Sequence, residues 1–399
     1  MQRDNVNVSG FQDINDTEIP QLQAHAKKLT EQGRIANSRR FLTDLLQLIN
    51  SLVMWAGNDG SRMGFTESEK RAEETHIRSA LRILEKEFQD AVAQCVKDTI
   101  SEFTEHIYDN FDQSIPAAIQ AAVPTATAWG APRAEGGLYW ATYKATCRRN
   151  GVYSGASGPR DFNAELFEPI SVRLANGWEK AFQRRLPRNL DDFVQRVNQA
   201  LSSFHKNVTT RTSERLPNFG GVGMLDNQHR ALAAQVTEIP QVLREEAQRV
   251  QREANRDFTP QIQQMMLHAY DVCTEERGPG SYARMKNAMI SHVADVRNTM
   301  FYSATKTVRQ EIDQLLDQMQ STMQIQMKEL HARIQRDYLA VLVGSDISSQ
   351  GATPRAERML RAEMVPLLEK ADVYFAGLEK PTDLAALSPS SEAVPASSG

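Results

Sequence analysis

Hydrophobic residues recur along this chain every three or four positions over long stretches, the spacing of helices that each bury one face. Leu42, Leu45, Leu46, Ile49, Leu52 and Val53 mark a first helix that opens near Ile19-Pro20 and ends near Gly57. The polar loop GNDGSRMG follows, and Thr66-Glu-Ser-Glu69 has the form of a capping box opening a second helix. One stripe in that helix passes through Ile77, Leu81, Leu84, Phe88, Val92, Cys95, Thr99, Phe103, Ile107 and Phe111, and Pro116 is expected to break it or to start a shorter successor.

Beyond residue 163 the stripes resume. Leu166, Ile170, Leu174, Trp178 and Phe182 predict a helix that stops at Leu186-Pro187. Leu190, Phe193, Val194, Val197, Leu201, Phe204 and Val208 predict another that ends before Pro217 and a flexible NFGGVGM stretch. A long polar helix is expected from about Asp226, interrupted or kinked at Pro240 and Pro260 and stopped by Glu276-Arg277-Gly278-Pro279-Gly280. The last stripe is the longest, running from Met285 through Val296, Val308, Met319 and Leu330 to Val341. Its step of roughly 3.7 residues is close to an eleven-residue repeat and predicts a nearly straight coiled-coil-like rod roughly 80 Å long. Methionines at this spacing read as core.

No stretch alternates apolar and polar residues with β-branched enrichment for long enough to propose a sheet. The expected fold is therefore all-α, an elongated bundle of long antiparallel helices with a glycine- and aromatic-rich junction and a disordered C-terminal tail. The expected segments are a flexible start at 1–18, a first long helical hairpin at 19–128, the junction at 129–163, a stalk-like bundle at 164–343, a short helical region at 344–380, and a Ser/Pro/Ala-rich tail at 381–399.

Composition narrows the function classes. No run approaches the ~18 apolar residues of a membrane span, and the start MQRDNVNVSG lacks a signal-peptide core, so an intracellular protein, nuclear or cytoplasmic, is expected. Three widely separated cysteines, Cys95, Cys147 and Cys273, argue for thiols rather than a disulfide frame or a zinc site. A net charge of −4 is too mild to name a partner.

Candidate chemistry is sparse. The motifs GxxxxGK[ST], HExxH, CxxC and GxSxG are absent, and Gly220-Gly-Val-Gly reads as a loop. The histidines show no convincing metal-ligand spacing, and the acidic residues look like solvated helix faces. The expectation is a chain that is not an enzyme, with no catalytic, cofactor or metal residues. The window GGLYWATYKATCRRNGVYSGASGPRDFN stands apart, because it gathers a tryptophan, three tyrosines and several cations between glycines. Gly136 and Gly137 would allow tight turns, with Tyr139, Trp140 and Tyr143 packing over them; Trp178 joins this structural set. Cys147 lies beside Lys144, Arg148 and Arg149, a setting that depresses a thiol pKa. Between residues 144 and 188 the chain carries a local basic excess, and Lys144, Arg148, Arg149, Arg184 and Arg185 are the candidate partner-binding residues, for nucleic acid or anionic lipid.

The blocks WGAPRAEGGLYWATYKATCRRNGVY, GPRDFNAELFEPI, NGWEKAFQRRLP and SSFHKNV resemble the helical region of the fungal dynamin-like large GTPases related to the nuclear GTPase SLIP-GC. The stretch DTEIPQLQAHAKKLTEQGRIANSRRFL is similar to the segment that joins their GTPase domain to the helical body, and GPGSYARMK and RDYLAVL fit the same pattern. The phosphate-binding loop, the switch threonine, the DxxG turn and the [NT]KxD motif are missing, so no nucleotide-site residue carries over. The resemblance implies a non-catalytic stalk or assembly module that transmits nucleotide state or self-associates, with further copies of itself or a GTPase domain as partners. The rival expectation is an independent binding module using the basic patch.

Overall fold

The computed structural model describes residues 13–57, 67–155, 158–215, 221–343 and 355–376. The chain is all-α with long helices. They are α1 (Ile19–Gly57), α2 (Glu67–Phe103), α3 (Asp109–Trp129), α4 (Trp140–Cys147), α5 (Phe162–Glu179), α6 (Leu186–Arg215), α7 (Gly221–Glu275), α8 (Ser281–Leu342) and α9 (Arg355–Ala376). The expected tail, most of the expected flexible start, the loop before Glu67 and the Pro217–Gly220 stretch lie outside the described residues.

The two longest stripes become core, whereas Leu42, Leu45, Ile49, Leu52 and Val53 of the α1 stripe are half-buried. Every stripe residue from Ile77 to Phe111 is buried, and so is every one from Met285 to Val341 except Val296, which is half-buried. The methionines Met285, Met289, Met300, Met319, Met323 and Met327 are all within this core.

The prolines do not interrupt the helices they lie in. Pro116 lies inside α3, and Pro240 and Pro260 lie inside an unbroken α7. An interior proline costs about 3 kcal/mol, whereas each fully buried large aliphatic side chain stabilises by about 1.5–3 kcal/mol. Val236, Ile239 and Leu243, all buried around Pro240, outweigh the lost backbone bond. At Leu186-Pro187 the chain also stays helical, because a π turn, Lys180–Arg185, joins α5 to α6 immediately before the proline. Its wider ring relaxes the ladder where the missing donor falls. A second π turn, Thr104–Tyr108, joins α2 to α3. Gly221 to Met224, expected as loop, form the first turn of α7, which the fully buried Leu225 anchors to its neighbours.

The long helices contribute to two compact units, which therefore cut across the contiguous segments expected from the sequence. One unit comprises Leu81–Ser203 and Val236–Ala332. In it α2 and α3 run antiparallel to α5 and α6: Asn189 Nδ2 donates to Thr99 Oγ1 at 3.2 Å, Phe103 meets Phe182 at 4.8 Å, and Arg173 donates to the Gln113 carbonyl at 3.3 Å. The same opposition links α7 to α8, where Cys273 donates to the Met285 carbonyl at 3.3 Å and His292 Nε2 lies 2.8 Å from the Met265 carbonyl. It links α8 to the two ends of α3, with Lys286 donating to the carbonyl of Gly130 just after it at 3.1 Å and Tyr108 just before it donating to Asp313 at 2.6 Å. Arg244 on α7 pairs with Asp191 on α6 and closes the circuit. The arrangement is an up-and-down bundle of four helical rods.

The other unit comprises Met1–Ala80, Phe204–Gln235 and Arg333–Gly399. In it α1 packs on α9, and the buried Glu73 carboxylate pairs with Arg211 and Arg215. His205 is held from both sides, by Tyr338 Oη at 2.6 Å and Asp226 at 2.8 Å, and stacks on His229 at 4.5 Å.

Candidate functional site

The glycine- and aromatic-rich window folds as a tight connector within the four-rod unit. α3 ends at Trp129, whose carbonyl accepts from the Leu138 N–H at 2.9 Å and closes the intervening loop. Gly137 has to be glycine, since a Cβ there would lie 1.9 Å from the Ala131 carbonyl oxygen. After α4 the chain reverses at Asn150 and Gly151, with φ of 52° and 92°. A two-stranded antiparallel hairpin follows, β1 (Val152–Gly155) paired with β2 (Gly158–Asp161). The sequence reading did not anticipate these strands. Asp161 then caps α5 by accepting from the N–H groups of Asn163 and Ala164, each at 3.0 Å.

Most of the aromatic content is internal wiring. Trp129 stacks on Phe162 at 3.9 Å with an interplanar angle of 7°, and its Nε1 donates to Glu165 at 2.7 Å. Tyr143 is fully buried against Phe162 and Tyr282, and burial pushes its phenol well above the usual range. Tyr270 on α7 donates to Asn163 Oδ1 at 2.7 Å, and Asn163 Nδ2 donates to the Asn150 carbonyl at 2.9 Å. Tyr282 on α8 donates to the Leu138 carbonyl at 2.6 Å. The window thus ties α3, α4, α5, α7 and α8 to one another.

Its residues do not all share that role. Tyr139 and Trp140 are 63% and 48% exposed and face one another at 5.9 Å instead of packing over Gly136 and Gly137. α4 is a single short helix, and Tyr143 occupies its inward face, which leaves the first turn turned outward. Trp178 lies outside the window, at the far end of α5, where it packs on Phe182 and Phe258 and lines a cleft of ≈ 450 Å³ with Phe167, Gln251 and Asn255.

The candidate cations do not form one patch. Lys144 donates to the Glu276 carbonyl, and Arg149 lies 5.0 Å over the Tyr153 ring. Arg148 is exposed and makes no ion pair among the described residues. Arg184 pairs with Glu179 at 2.7 Å and Arg185 with Glu102 at 3.4 Å, in the π turn at the other end of α5. The length of α5 puts roughly 30 Å between the two groups, at 1.5 Å per residue. Cys147 is also not activated. A hydrogen bond with Cys273 and then burial raise its thiol, and the opposing influence of Lys144 is smaller. Burial likewise pushes Cys95 up to about 12.

The two π turns meet across the bundle. Gly177 lies so close to the Thr104–Tyr108 turn that a Cβ would stand 2.0 Å from the His106 carbonyl oxygen. The same turn gathers Glu102, Glu105 and His106, whose potential ligand atoms all lie within 4.8 Å of one another. Sequence reasoning passed over this group, although Glu102 and His106 are spaced i, i+4 on one helix face.

A family model matches part of the chain. It is described as a domain of unknown function, DUF7605, and it spans residues 119–301. The matched span contains the whole connector, the hairpin, α5, α6 and α7, and the turn into α8. No curated protein and no solved structure matches the chain. Among the described residues, no helix is long and apolar enough to cross a membrane.

Proposed function

We propose that this chain is a non-catalytic helical stalk module that self-associates, and that in a relative of the SLIP-GC-like GTPases it carries the nucleotide state of a GTPase domain along its helices. The observation that supports self-association best is the surface of α1. Leu22, Leu29, Phe41 and Leu48 are between 56% and 70% exposed, in two pairs spaced seven residues apart. That spacing returns a side chain to nearly the same helix face, the geometry of a helix that seats against another. Transmission is supported by α2, α6, α7 and α8, each of which supplies residues to both compact units without a break in its backbone.

Two measurements test the reading. Light scattering on the purified chain is expected to show a mass above the monomer's 44.8 kDa at micromolar concentration. Calorimetry with GTP is expected to show no saturable heat, and saturable binding would overturn the non-catalytic half. The rival reading, a nucleic-acid or anionic-lipid binder, retains only Arg148 and Arg149, exposed at the end of α4. It requires salt-dependent binding that the double substitution Arg148→Ala/Arg149→Ala abolishes.

A further inference from the structure

We propose that the connector end of the four-rod unit binds single-stranded nucleic acid, stacking bases on Tyr139 and Trp140 and pairing phosphates with Arg133, Arg148 and Arg277. The inference does not rest on the stalk reading; it gives the nucleic-acid reading a site built on rings as well as cations. Tyr139 and Trp140 are 63% and 48% exposed, an apolar area left in water that the fold itself does not use. Their rings meet at 53°, so neither covers the other's face. Nearby, the Arg149 guanidinium lies 5.0 Å over the Tyr153 ring, and its outer plane is a third surface of the kind on which unpaired bases stack.

These groups belong to one end of the unit. Tyr282 at the start of α8 donates to the carbonyl of Leu138, the residue before Tyr139. Lys144 donates to the carbonyl of Glu276, the residue before Arg277. Arg133 lies in the loop that the Leu138 N–H closes onto Trp129. Tyr153 pairs with Arg160 across the hairpin, and Arg160 reaches the Gly136 carbonyl at 3.3 Å. At 1.5 Å per residue, α4 sets Arg148 about 12 Å along the helix from Trp140.

The same end is electropositive. Residues 129–153 and 275–286 hold seven lysines and arginines against three glutamates, in a chain whose net charge is −4. Lys144 and Lys286 direct their hydrogen bonds to carbonyls just beyond the ends of α7 and α3, which do not neutralise them. Arg133, Arg148 and Arg277 are exposed and make no ion pair among the described residues. A polyanion complements this charge, and bases suit the rings because every base has a π face. An anionic bilayer fits less well: among the described residues Val152 is the one large aliphatic side chain exposed there, too little apolar area to insert. A duplex keeps its bases stacked inside, out of reach of Tyr139 and Trp140.

The test is fluorescence anisotropy of a labelled oligothymidylate titrated with the full chain, with the same strand as a duplex and phosphatidylserine vesicles in parallel. Three contacted phosphates predict a slope of about −2 in log affinity against log salt, a loss of roughly 20-fold between 50 and 200 mM. Trp140→Ala is expected to weaken binding at least ~5-fold without altering that slope. Arg148→Ala/Arg277→Ala is expected to weaken it and to bring the slope to about −0.7. These side chains are exposed, so the variants keep the fold, which circular dichroism like the parent's checks. Arg184→Ala, at the other end of α5, is the control and leaves the affinity unchanged. Absence of oligonucleotide binding at 50 mM salt overturns the proposal, and vesicle binding in its place assigns the surface to a bilayer. Binding that the duplex shares equally, or that Arg184→Ala weakens as much as Arg148→Ala/Arg277→Ala does, overturns it as well. Binding that survives Trp140→Ala but not Arg148→Ala/Arg149→Ala keeps the charge-only reading and overturns the ring site.

Discussion

Replacing Gly177 by alanine tests the packing of α5 on the Thr104–Tyr108 π turn, because its expected sign is opposite to that of an ordinary helical glycine. In a helix interior, alanine is favoured over glycine by about 1 kcal/mol. At Gly33 in α1, where a Cβ meets nothing within 4 Å, Gly33→Ala should raise stability by up to about that amount. At Gly177 the new methyl would stand 2.0 Å from the His106 carbonyl oxygen and 2.6 Å from Asn110 Nδ2. The carbonyl belongs to the backbone, and it already accepts from Asn110 at 2.6 Å, so it has no free rotamer to yield. α5 must move off the π turn by more than 1 Å, and overpacking of this kind costs about 1–3 kcal/mol. We therefore expect Gly177→Ala to lose about 1 kcal/mol net once the helix-propensity gain is subtracted, with a fall in Tm of roughly 1–2 °C. Urea unfolding followed by circular dichroism, alongside calorimetric Tm values for both variants, measures this. A Gly177→Ala protein as stable as the parent, or more stable, would refute the close approach of α5 to the Thr104–Tyr108 turn.

Three further outcomes follow from particular environments. Cys95, Cys147 and Cys273 are buried, and the thiols of Cys95 and Cys147 are raised, so native protein at pH 8 should resist iodoacetamide at all three positions and react fully in denaturant; rapid native labelling of Cys147 would contradict its placement. Burial, then a hydrogen bond and repulsion from Asp257 and charge on Glu253, push Glu311 from 4.5 up to about 7. A raised acid binds its proton more tightly when folded, so its cost to stability is absent below pH 4.5, grows as pH rises toward 7 and is complete above it. Discounted for solvent screening, Glu311→Gln should add about 1 kcal/mol at pH 8 and nothing at pH 4, and an equal gain at both would rule this origin out. Finally, Gly151→Ala should destabilise by more than ~1 kcal/mol, because it combines φ of 92° with contacts of 2.5 Å to Asn163 and Tyr270; a neutral effect in a denaturant titration would argue against the connector's wiring.

The parts of this fold that were legible in the sequence are those that periodicity encodes. The run from Leu81 through Phe88 to Phe111, and that from Met289 to Tyr338, each repeat at a helical step, and burial follows because no other face of those helices can be removed from water. What stayed hidden depends on contacts distant in sequence. Pro187 reads locally as a helix stop, Pro116 as a break or a restart and Pro240 as an interruption or kink, yet long-range packing on either side carries the helices through them. The π turns have no residue signature, so neither the approach of Gly177 to His106 nor the junction before Pro187 was visible. The hairpin of residues 152–161 is too short for alternation to register, although Asn150-Gly151 and the later glycines marked its turns.

The site was legible in outline. Composition alone singled out the window, but composition does not say which aromatic faces inward, and Tyr143 is buried where Tyr139 and Trp140 are exposed. Cations that fall in one basic stretch of the sequence, such as Arg149 and Arg184, are separated once α5 is extended between them. Glu102, Glu105 and His106 were in plain view at helical spacing. They resembled a solvated acidic face, and only the burial of His106 distinguishes them from one.

The central claim is that this module associates with copies of itself through the exposed apolar positions of α1. Its most direct test is multi-angle light scattering during size-exclusion chromatography, across a range of concentrations, of the full chain and of a Leu22→Ser/Leu29→Ser/Phe41→Ser/Leu48→Ser variant. The account predicts a concentration-dependent mass above 44.8 kDa for the parent and a monomer, equally helical by circular dichroism, for the variant. A parent that is monomeric at every concentration, or a variant that assembles as the parent does, would contradict it.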